Sequence, residues 1–545
     1  MEAKQISPTM IPQARSSNMS LEESPRIILQ PRPSNDPNDP LNWPRWRKNL
    51  NFILISYYTL MVFALIDIAT VTWAPVNAEL GFSYALLNDA FAAGNGALCI
   101  GGFILVPLAL KFGRRPVYIF STAVQCGMSI WYAKMRTIPE LMLINLLSCT
   151  VGALAEVMVQ MTVADMFYFH ERGLMNSIYY WFMITGATLS PLPGGFITSN
   201  QGWRWVWWWL AILLGAGLIV FLFCYEETMF TRPTIEIEQI ASQPQNKEAA
   251  TNNDPEAPKN APQISEVIID YSIPQKSYWE KLALWSNTSM PLSQLFKHTY
   301  QPFLVIFTIP AVFFMSLQYG VLISCIVLPV TSLSSYMTLP PYEFNPTQIG
   351  LMGLPPFIGA SLGTLIGGFL SDYVSLYLAK RNGGVFEPEM RLWVSVAFAP
   401  FIPAGIFIFG IGLNNGANWL VPAFGLGIAC FGVLPTSSAA LTYLTDAYTD
   451  IIADSILGVT FVRNAILTMF IFVLQPWTDS VGLTWVYVTF GLITTVILGG
   501  NIGSSTSGRN SGPRPLPGTK VLVIKNHNRQ RYCVVRRFTD FMINS

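Results

Sequence analysis

Twelve stretches of mostly apolar residues divide this chain, each close to the length that a helix needs to cross a bilayer. A transmembrane helix requires about 20 consecutive apolar residues. The pattern therefore predicts an all-α membrane protein with twelve transmembrane helices, numbered here as spans 1 to 12. The predicted spans lie at roughly 51–73, 87–110, 116–134, 140–164, 174–198, 204–224, 302–328, 347–371, 391–413, 419–443, 455–476 and 481–500.

The amino-acid composition agrees with a lipid environment. Of the 545 residues, 52% are hydrophobic and only 12% are charged, whereas ordinary soluble domains carry roughly 25% charged residues. The formal net charge is +1. A surface that binds nucleic acid needs a marked basic excess, so no nucleic acid is expected as a partner. The expected surroundings are the lipid bilayer.

The twelve spans fall into two sets of six, separated by a long polar segment. This segment contains TIEIEQIASQPQNKEAATNNDPEAPKNAPQ, which is acidic and rich in Pro, Asn and Gln and cannot bury a core. The chain is therefore predicted to form two pseudo-symmetric six-helix bundles. The predicted regions are a disordered cytoplasmic arm at 1–48, a first six-helix half at 49–225, a cytoplasmic central loop at 226–300, a second six-helix half at 301–500 and a basic cytoplasmic tail at 501–545.

Lys and Arg residues near the span ends predict the orientation, because cytoplasmic loops carry an excess of these residues. WPRWRK before span 1, KFGRR between spans 2 and 3, and Lys380 and Arg381 between spans 8 and 9 fall on one side. The turns on the other side are nearly free of cations, although Lys134 and Arg136 depart from the pattern. Both termini are therefore predicted to be cytoplasmic, as an even number of spans requires.

The turn between spans 2 and 3, LKFGRRPVY, combines a glycine with three cations. One interpretation is simple anchoring of the helix ends, with the glycine as a turn. The corresponding turn of the second half, GGFLSDYVSLYLAKRNGG, favours a functional interpretation, because a glycine and charges again follow the second helix of a half. The similarity suggests a duplicated six-helix unit. The candidate gating residues in the two turns are Lys111, Gly113, Arg114, Arg115, Gly368, Asp372 and Arg391.

These turns resemble a motif of the major facilitator superfamily, in particular its fungal drug:proton antiporter-like branch with twelve spans. The family motif runs Gly-x-x-x-Asp-Arg/Lys-x-Gly-Arg/Lys-Arg/Lys, and here Val106 and Leu110 stand in place of its glycine and aspartate. GATLSPLPGG in span 5 is similar to the antiporter motif Gly-Pro-x-x-Gly-Gly. Its small residues and prolines allow close helix approach and a kink, either for packing or as a hinge. The span 5 candidates are Ser190, Pro191, Gly194 and Gly195.

The resemblance implies a monomeric secondary transporter of the plasma membrane that needs no cofactor. In this fold one six-helix half rocks against the other about a site near the midplane. The charged turns would then make ion pairs and helix-end contacts that break when the cytoplasmic side opens. The chain has no Gly-x-x-x-x-Gly-Lys-Ser/Thr motif for the phosphates of ATP. An ion gradient is therefore the expected energy source, with protons and a small-molecule substrate as partners.

A proton-coupled site needs an ionisable group inside the membrane, where such groups are costly. Asp67 in FALIDIATVTW of span 1 and Glu156 in GALAEVMVQM of span 4 meet this requirement. Both are candidates for proton coupling, with structural pairing to a polar neighbour as the alternative. Arg463 is the only cation well inside a span, and it is predicted to pair with Asp446 at the end of span 10. A structural lock is favoured for that pair over substrate binding.

The substrate cavity follows from the resemblance alone, because spans 1, 4, 7 and 10 usually line the cavity in this superfamily. Aromatic walls with few charges suit a bulky, amphipathic or weakly cationic solute. The implied lining residues are Tyr57, Tyr58, Gln160, Gln318, Tyr319 and Tyr443.

Metal binding and catalysis are not expected. The seven cysteines form no CxxC pair and the three histidines are far apart in sequence, which leaves little to build a metal site on. No nucleophile–base pair is recognisable, so the chain is not expected to be an enzyme. The expected function is proton-coupled efflux of a drug or secondary metabolite. Two alternatives stay open: proton-coupled uptake of an organic cation or polyamine, and a transport-incompetent membrane sensor.

Overall fold

A computed structural model describes residues 34–230, 272, 274, 277–283, 292–381, 390, 392–447 and 452–507. Within these residues the secondary structure is helical, without a β-strand. Helices occupy all twelve predicted positions, and ten candidate spans are long and apolar enough to cross a membrane. Spans 3 and 5 fall short because polar residues and tyrosines lower their mean hydropathy. The predicted all-α membrane fold is confirmed, whereas the predicted arm up to residue 33, most of the central loop and the tail beyond residue 507 lie outside the described residues.

Several spans consist of two helices separated by a short break. The first six spans comprise Arg45–Asp67 and Trp73–Leu80 (span 1), Tyr84–Phe112 (span 2), Arg114–Lys134 (span 3), Ile138–Gly152 and Leu154–Met166 (span 4), Phe169–Leu189 and Pro191–Gln201 (span 5), and Trp203–Cys224 (span 6). The last six comprise Leu292–Thr308 and Pro310–Tyr336 (span 7), Pro346–Leu351 and Leu354–Arg381 (span 8), Leu392–Phe398 and Phe401–Asn414 (span 9), Leu420–Ala447 (span 10), Ile452–Val481 (span 11) and Leu483–Ser507 (span 12).

Helix ends follow local sequence signals. Pro191 and Pro310 each occupy the first turn of a helix, where the missing N–H is no loss and the fixed φ suits the helix. Thr137 begins span 4 with a capping box completed by Glu140, and Asn345 begins span 8 in the same way with Gln348. These devices satisfy the unpaired N–H groups at the start of each helix. Span 5 is interrupted at Ser190, directly before Pro191.

The two six-span sets repeat one packing pattern. In the first set span 1 packs on span 5, span 2 on span 4 and span 3 on span 6; in the second, span 7 packs on span 11, span 8 on span 10 and span 9 on span 12. The contacts between the sets obey the same symmetry, because span 2 packs on span 11 and span 5 on span 8. We call the two sets the N-half and the C-half.

The two ends of the bundle are distinguished by the central loop. The loop side carries residues 34–44 and the short helix Tyr278–Lys281 of the central loop. There the side-chain amide of Asn38 donates to the carbonyl of Pro274 at 3.3 Å, and the hydroxyl of Tyr278 donates to the carbonyl of Phe223 at 2.7 Å. The opposite side carries the turns at residues 81–83 and 337–345.

Gly113 is the single residue between the helices of spans 2 and 3, with φ +100° and ψ 165°. It forms the turn between them, and this backbone region is essentially restricted to glycine. We expect Gly113→Ala to destabilise the protein by about 1–3 kcal/mol, measured as a lower midpoint of thermal unfolding in detergent. The control is Gly127→Ala in span 3, where an added Cβ meets nothing within 4 Å. Equal loss in both variants would contradict the strained-turn explanation.

Candidate functional site

A buried ion pair joins the two halves. The carboxylate oxygen Oε1 of Glu156, on span 4, pairs with Nη2 of Arg463, on span 11. The second oxygen, Oε2, accepts a hydrogen bond from Nδ2 of Asn464 at 2.8 Å. Glu156, Arg463 and Asn464 are 3%, 4% and 1% exposed. Buried charges of this kind persist only when they are paired and hydrogen-bonded, and here both oxygens of the carboxylate have a donor.

Arg463 has further partners that hold its guanidinium in place. Nε and Nη2 donate to Oδ1 of Asn464 at 3.0 and 2.8 Å. Nη1 reaches the hydroxyl of Tyr319 on span 7 at 3.5 Å, and the guanidinium lies 5.2 Å from the centre of the Tyr319 ring. Gly320 provides the space for this approach, since an added Cβ would lie 3.2 Å from Cα of Arg463.

Polar side chains of spans 4 and 5 extend the network within the N-half. The side-chain amide of Gln160 donates to the hydroxyl of Tyr180 at 3.1 Å and to the carbonyl of Glu156 at 3.2 Å. The hydroxyl of Tyr179 donates to the carbonyl of Ala155 at 2.7 Å, close to the break in span 4. The site therefore combines a carboxylate, a guanidinium, two amides and three phenols from spans 4, 5, 7 and 11.

Asp67 is a second buried carboxylate of different character. It is 8% exposed and ends the first helix of span 1, where the chain continues into the 3-10 turn Ile68–Thr72. Its main-chain carbonyl accepts from the Thr70 hydroxyl, but within the described residues its carboxylate has no hydrogen bond or ion pair. The thiol of Cys149 on span 4 lies close enough to interact electrostatically with both Asp67 and Glu156.

An aromatic cluster closes the interface between the halves on the loop side of the ion pair. The rings of Phe103 and Phe303 stack with centroids 4.6 Å apart, and Phe461 packs edge-on against both at 5.3 and 5.1 Å. These rings come from spans 2, 7 and 11. Leu110, which stands where the family motif has an aspartate, packs against the same apolar cluster. The contact between the halves here is apolar.

Glycines bring spans 5 and 8 together on the opposite side. A Cβ added at Gly195 would lie 2.4 Å from the carbonyl oxygen of Pro346, and one at Gly350 would lie 2.4 Å from that of Pro191. Gly194 faces Ile68 of span 1 in the same way, at 2.6 Å. A small cavity of about 20 Å³ lies beside these contacts. At Gly194 and Gly195, therefore, neighbouring segments lie too close for a larger side chain.

The two arginines of the span 2–3 turn bind within the N-half and the central loop. Arg114 pairs with Asp165 at the end of span 4, at 2.5 Å. Arg115 donates to the main-chain carbonyls of Tyr225 and Leu222 at 2.8 and 2.7 Å and to that of Leu282 in the central loop. Glu227 accepts from the main-chain N–H groups of Arg114 and Arg115 at 3.1 and 3.0 Å. A carboxylate at a helix N-terminus is stabilising, so Glu227 caps the start of span 3.

The other candidates occupy varied places. The Tyr57 hydroxyl donates to the Leu213 carbonyl of span 6 at 2.8 Å, and the Tyr58 hydroxyl bonds to Ser121 inside the N-half at 2.6 Å. Gln318 is fully buried, and its amide has no partner among the described residues. Tyr443 packs in the C-half, and Lys111 is half-buried. Ser190 lies at the break in span 5, and Gly368 lies within span 8.

Three candidates cannot be compared with their predicted roles. Arg391 lies outside the described residues, and the side chains of Asp372 and Asp446 are likewise outside the part of the chain that the structure describes. The observed partner of Arg463 is Glu156, so pairing of Arg463 with Asp446 stays a prediction. Asn464, Tyr179 and Tyr180 are site residues that are absent from the candidates named from the sequence. For Asn464 the available signal was its place next to Arg463, the only cation well inside a span.

Comparison with known proteins places the chain among transporters. A family model described as Major Facilitator Superfamily matches residues 52–466. The chain is 32% identical to an uncharacterized MFS-type transporter of Schizosaccharomyces pombe, over 89% of this chain and 88% of the relative. It is 27% identical to protein HOL1 of Saccharomyces cerevisiae, with 86% and 87% coverage, and 24% identical to efflux pump radE of Floropilus chiversii, with 85% and 80% coverage.

A solved structure has the same fold. The proton:xylose symporter XylE, bound to 6-bromo-6-deoxy-D-glucose, aligns with a TM-score of 0.55 over 86% of this chain and 97% of that protein. The sequence identity is 13%, so the likeness concerns the fold alone. Together with the family match, it agrees with the helical membrane fold described above.

Proposed function

The chain belongs to the major facilitator superfamily, and on that premise we propose that it is a proton-coupled transporter that exports a small organic compound across the plasma membrane. The observation that carries the proposal is the presence of two buried carboxylates, of which one has an ion-pair partner and the other has none among the described residues. Glu156 is paired with Arg463 across the two halves, whereas the Asp67 carboxylate has no polar partner in the described residues. Ionisable groups at this depth are costly, and they mark ion pathways in transporters.

Asp67 is the proposed exchange group. An isolated buried carboxylate is neutralised either by taking up a proton or by binding a cation. A proton and a cationic or weakly cationic solute therefore compete for Asp67, and this competition couples export of the solute to entry of the proton. Asp67 lies at the break of span 1, where irregular backbone lets the helix adjust as the halves rock.

Glu156 and Arg463 are proposed to hold the halves together. Their ion pair joins span 4 to span 11, and a proton on Glu156 would remove the charge that attracts the guanidinium. Protonation would therefore favour separation of the two halves on the loop side, beyond the aromatic cluster of Phe103, Phe303 and Phe461. In this scheme no group of the chain acts as a catalyst, and no enzymatic activity is proposed.

The proposed direction is export, with the loop side and both termini in the cytoplasm. Similarity to a protein named as an efflux pump supports export, and the cation distribution in the turns supports the orientation. Uptake of an organic cation is the second candidate. It is favoured by the same unpaired Asp67 carboxylate, since a cationic group entering with the solute would neutralise it.

The test is retention of fluorescent and toxic amphiphiles in a transporter-depleted yeast. Cells expressing the wild-type chain are expected to retain several-fold less of at least one compound, and a protonophore or Asp67→Asn should abolish the difference. Asp89→Asn, which alters an exposed carboxylate in span 2, is the matched control and should behave as wild type at equal surface expression. Protonophore-sensitive accumulation would establish uptake. Equal retention across a broad panel would contradict export and favour a membrane sensor.

A further inference from the structure

Asn464 is bonded to both members of the ion pair that joins the halves. Its Oδ1 accepts from Nε and Nη2 of Arg463, and its Nδ2 donates to Oε2 of Glu156. We propose that Asn464 is a positioning residue of the Glu156 site, which makes the separation of spans 4 and 11 and the protonation of Glu156 a single coupled event. This inference rests on the proposed proton-coupled function.

The orientation of the Asn464 amide is determined by its neighbours. Arg463 can only donate hydrogen bonds, and an ionised carboxylate can only accept them. If the amide were reversed, its NH₂ group would face the guanidinium donors and its oxygen would face the carboxylate, so both contacts would become repulsive. The amide therefore presents its donor to Glu156, and a residue without both a donor and an acceptor cannot replace it.

Both donors to Glu156 come from adjacent residues of one helix. Arg463 pairs with Oε1 and Asn464 donates to Oε2, whereas Glu156 itself belongs to span 4 of the other half. Movement of span 11 away from span 4 therefore removes both donors together. A carboxylate that loses its hydrogen-bond donors in a low-dielectric site favours the neutral form. Conversely, a proton on Glu156 weakens both contacts and favours separation.

The titratable and charged groups that interact with Glu156, with Arg463 or with their immediate neighbours lie on spans 1, 2, 4, 5 and 7, and Arg463 is the one cation among those described. The others are phenols and thiols, apart from Asp67. They are Tyr319 on span 7, Tyr179 and Tyr180 on span 5, Cys99 on span 2, Cys149 on span 4 and Asp67 on span 1. Phenols and thiols are neutral near pH 7, so the charges that bear on the ionisation of Glu156 are those of Arg463 and Asp67, and Asn464 is its neutral hydrogen-bond donor.

The test is infrared difference spectroscopy of the full chain in lipid nanodiscs during a pH titration. The band of the protonated Glu156 carboxyl is assigned by its absence in Glu156→Gln combined with Arg463→Gln. Asn464→Ala should raise the pH at which this band appears by about one unit or more, since a hydrogen bond to a charged group is lost. Asn464→Gln keeps an amide donor and should shift the band less.

Thr460→Ala is the matched control, because that buried hydroxyl bonds within its own helix to the carbonyl of Ile456 at 2.8 Å. In Thr460→Ala the band of the protonated carboxyl should appear at the same pH as in the wild-type chain. An unchanged titration in Asn464→Ala, even with lower thermal stability, would overturn the positioning role and leave a structural one. The infrared band reports the protonation of Glu156 whether or not the protein transports a solute. A wild-type chain that titrates as expected but moves no amphiphile would therefore reject the proposed function separately.

Discussion

Glu156→Gln is expected to destabilise the protein by about 3–5 kcal/mol, the range for breaking a buried ion pair at one partner. Arg463 cannot lose its proton, so this variant leaves a permanent cation at a site that is 4% exposed. Arg463→Gln should cost less, because the remaining carboxylate can take up a proton. The measurement is the midpoint of thermal unfolding in detergent, compared with surface expression in cells.

The combined variant, Glu156→Gln with Arg463→Gln, is the internal control for this prediction. Two neutral amides leave no uncompensated charge, so the double variant should recover a large part of the stability that Glu156→Gln loses. Transport should not recover, since no carboxyl then remains at position 156 to take up a proton and release the halves. If the stability lost in the double variant equals the sum of the losses in the two single variants, Glu156 and Arg463 do not act as a pair in the membrane.

Gly195→Val is expected to separate spans 5 and 8 on the opposite side. An added Cβ would lie 2.4 Å from the Pro346 carbonyl and 3.1 Å from Cα of Thr347, and backbone atoms at such distances can be accommodated only by moving a helix. Overpacking of this kind costs about 1–3 kcal/mol. Expressed as a population, that is roughly a tenfold to hundredfold shift toward a state open on this side.

Accessibility to a thiol reagent measures this shift. Ser334, 1% exposed, lines the small cavity beside the glycine contacts, so Ser334→Cys should react slowly in the otherwise wild-type chain. It should react at least several-fold faster when combined with Gly195→Val. Gly127→Ala in span 3 is the control, because nothing lies within 4 Å of a Cβ added there. Similar labelling with both glycine substitutions would contradict the proposed role of close packing at Gly195.

Features that depend on neighbouring residues in sequence were predictable. The twelve helices follow from the length of each apolar run, the turn at Gly113 from a glycine between two runs, and the break in span 5 from Pro191. Each of these signals lies within about one helical turn of the structure it determines. The close approach of spans 5 and 8 was partly predictable, because Gly194 and Gly195 indicate that some helix comes near without indicating which one.

The partner of Arg463 was not predictable in the same way. Glu156 lies 308 positions from Asn464 in sequence, and any of several carboxylates satisfies the same charge argument. Asp446, at the end of the span that precedes span 11, is one of these carboxylates, and its side chain lies outside the described residues. The choice between partners depends on how the two halves pack on each other, which apolar patterning within a half does not determine. The same holds for Tyr57 and Tyr58, because their position in span 1 does not determine which neighbouring helix each side chain contacts.

The aromatic cluster of Phe103, Phe303 and Phe461 packs near Leu110, which stands where the related family motif has an aspartate. Contacts between charges weaken as salt concentration rises, because mobile ions screen them. Contacts between buried rings are insensitive to ionic strength but become weaker on cooling, since the hydrophobic driving force fades at low temperature. Closure of the loop side should therefore respond to temperature far more than to salt, and an organism that grows in the cold would meet a transporter that opens more readily at this end.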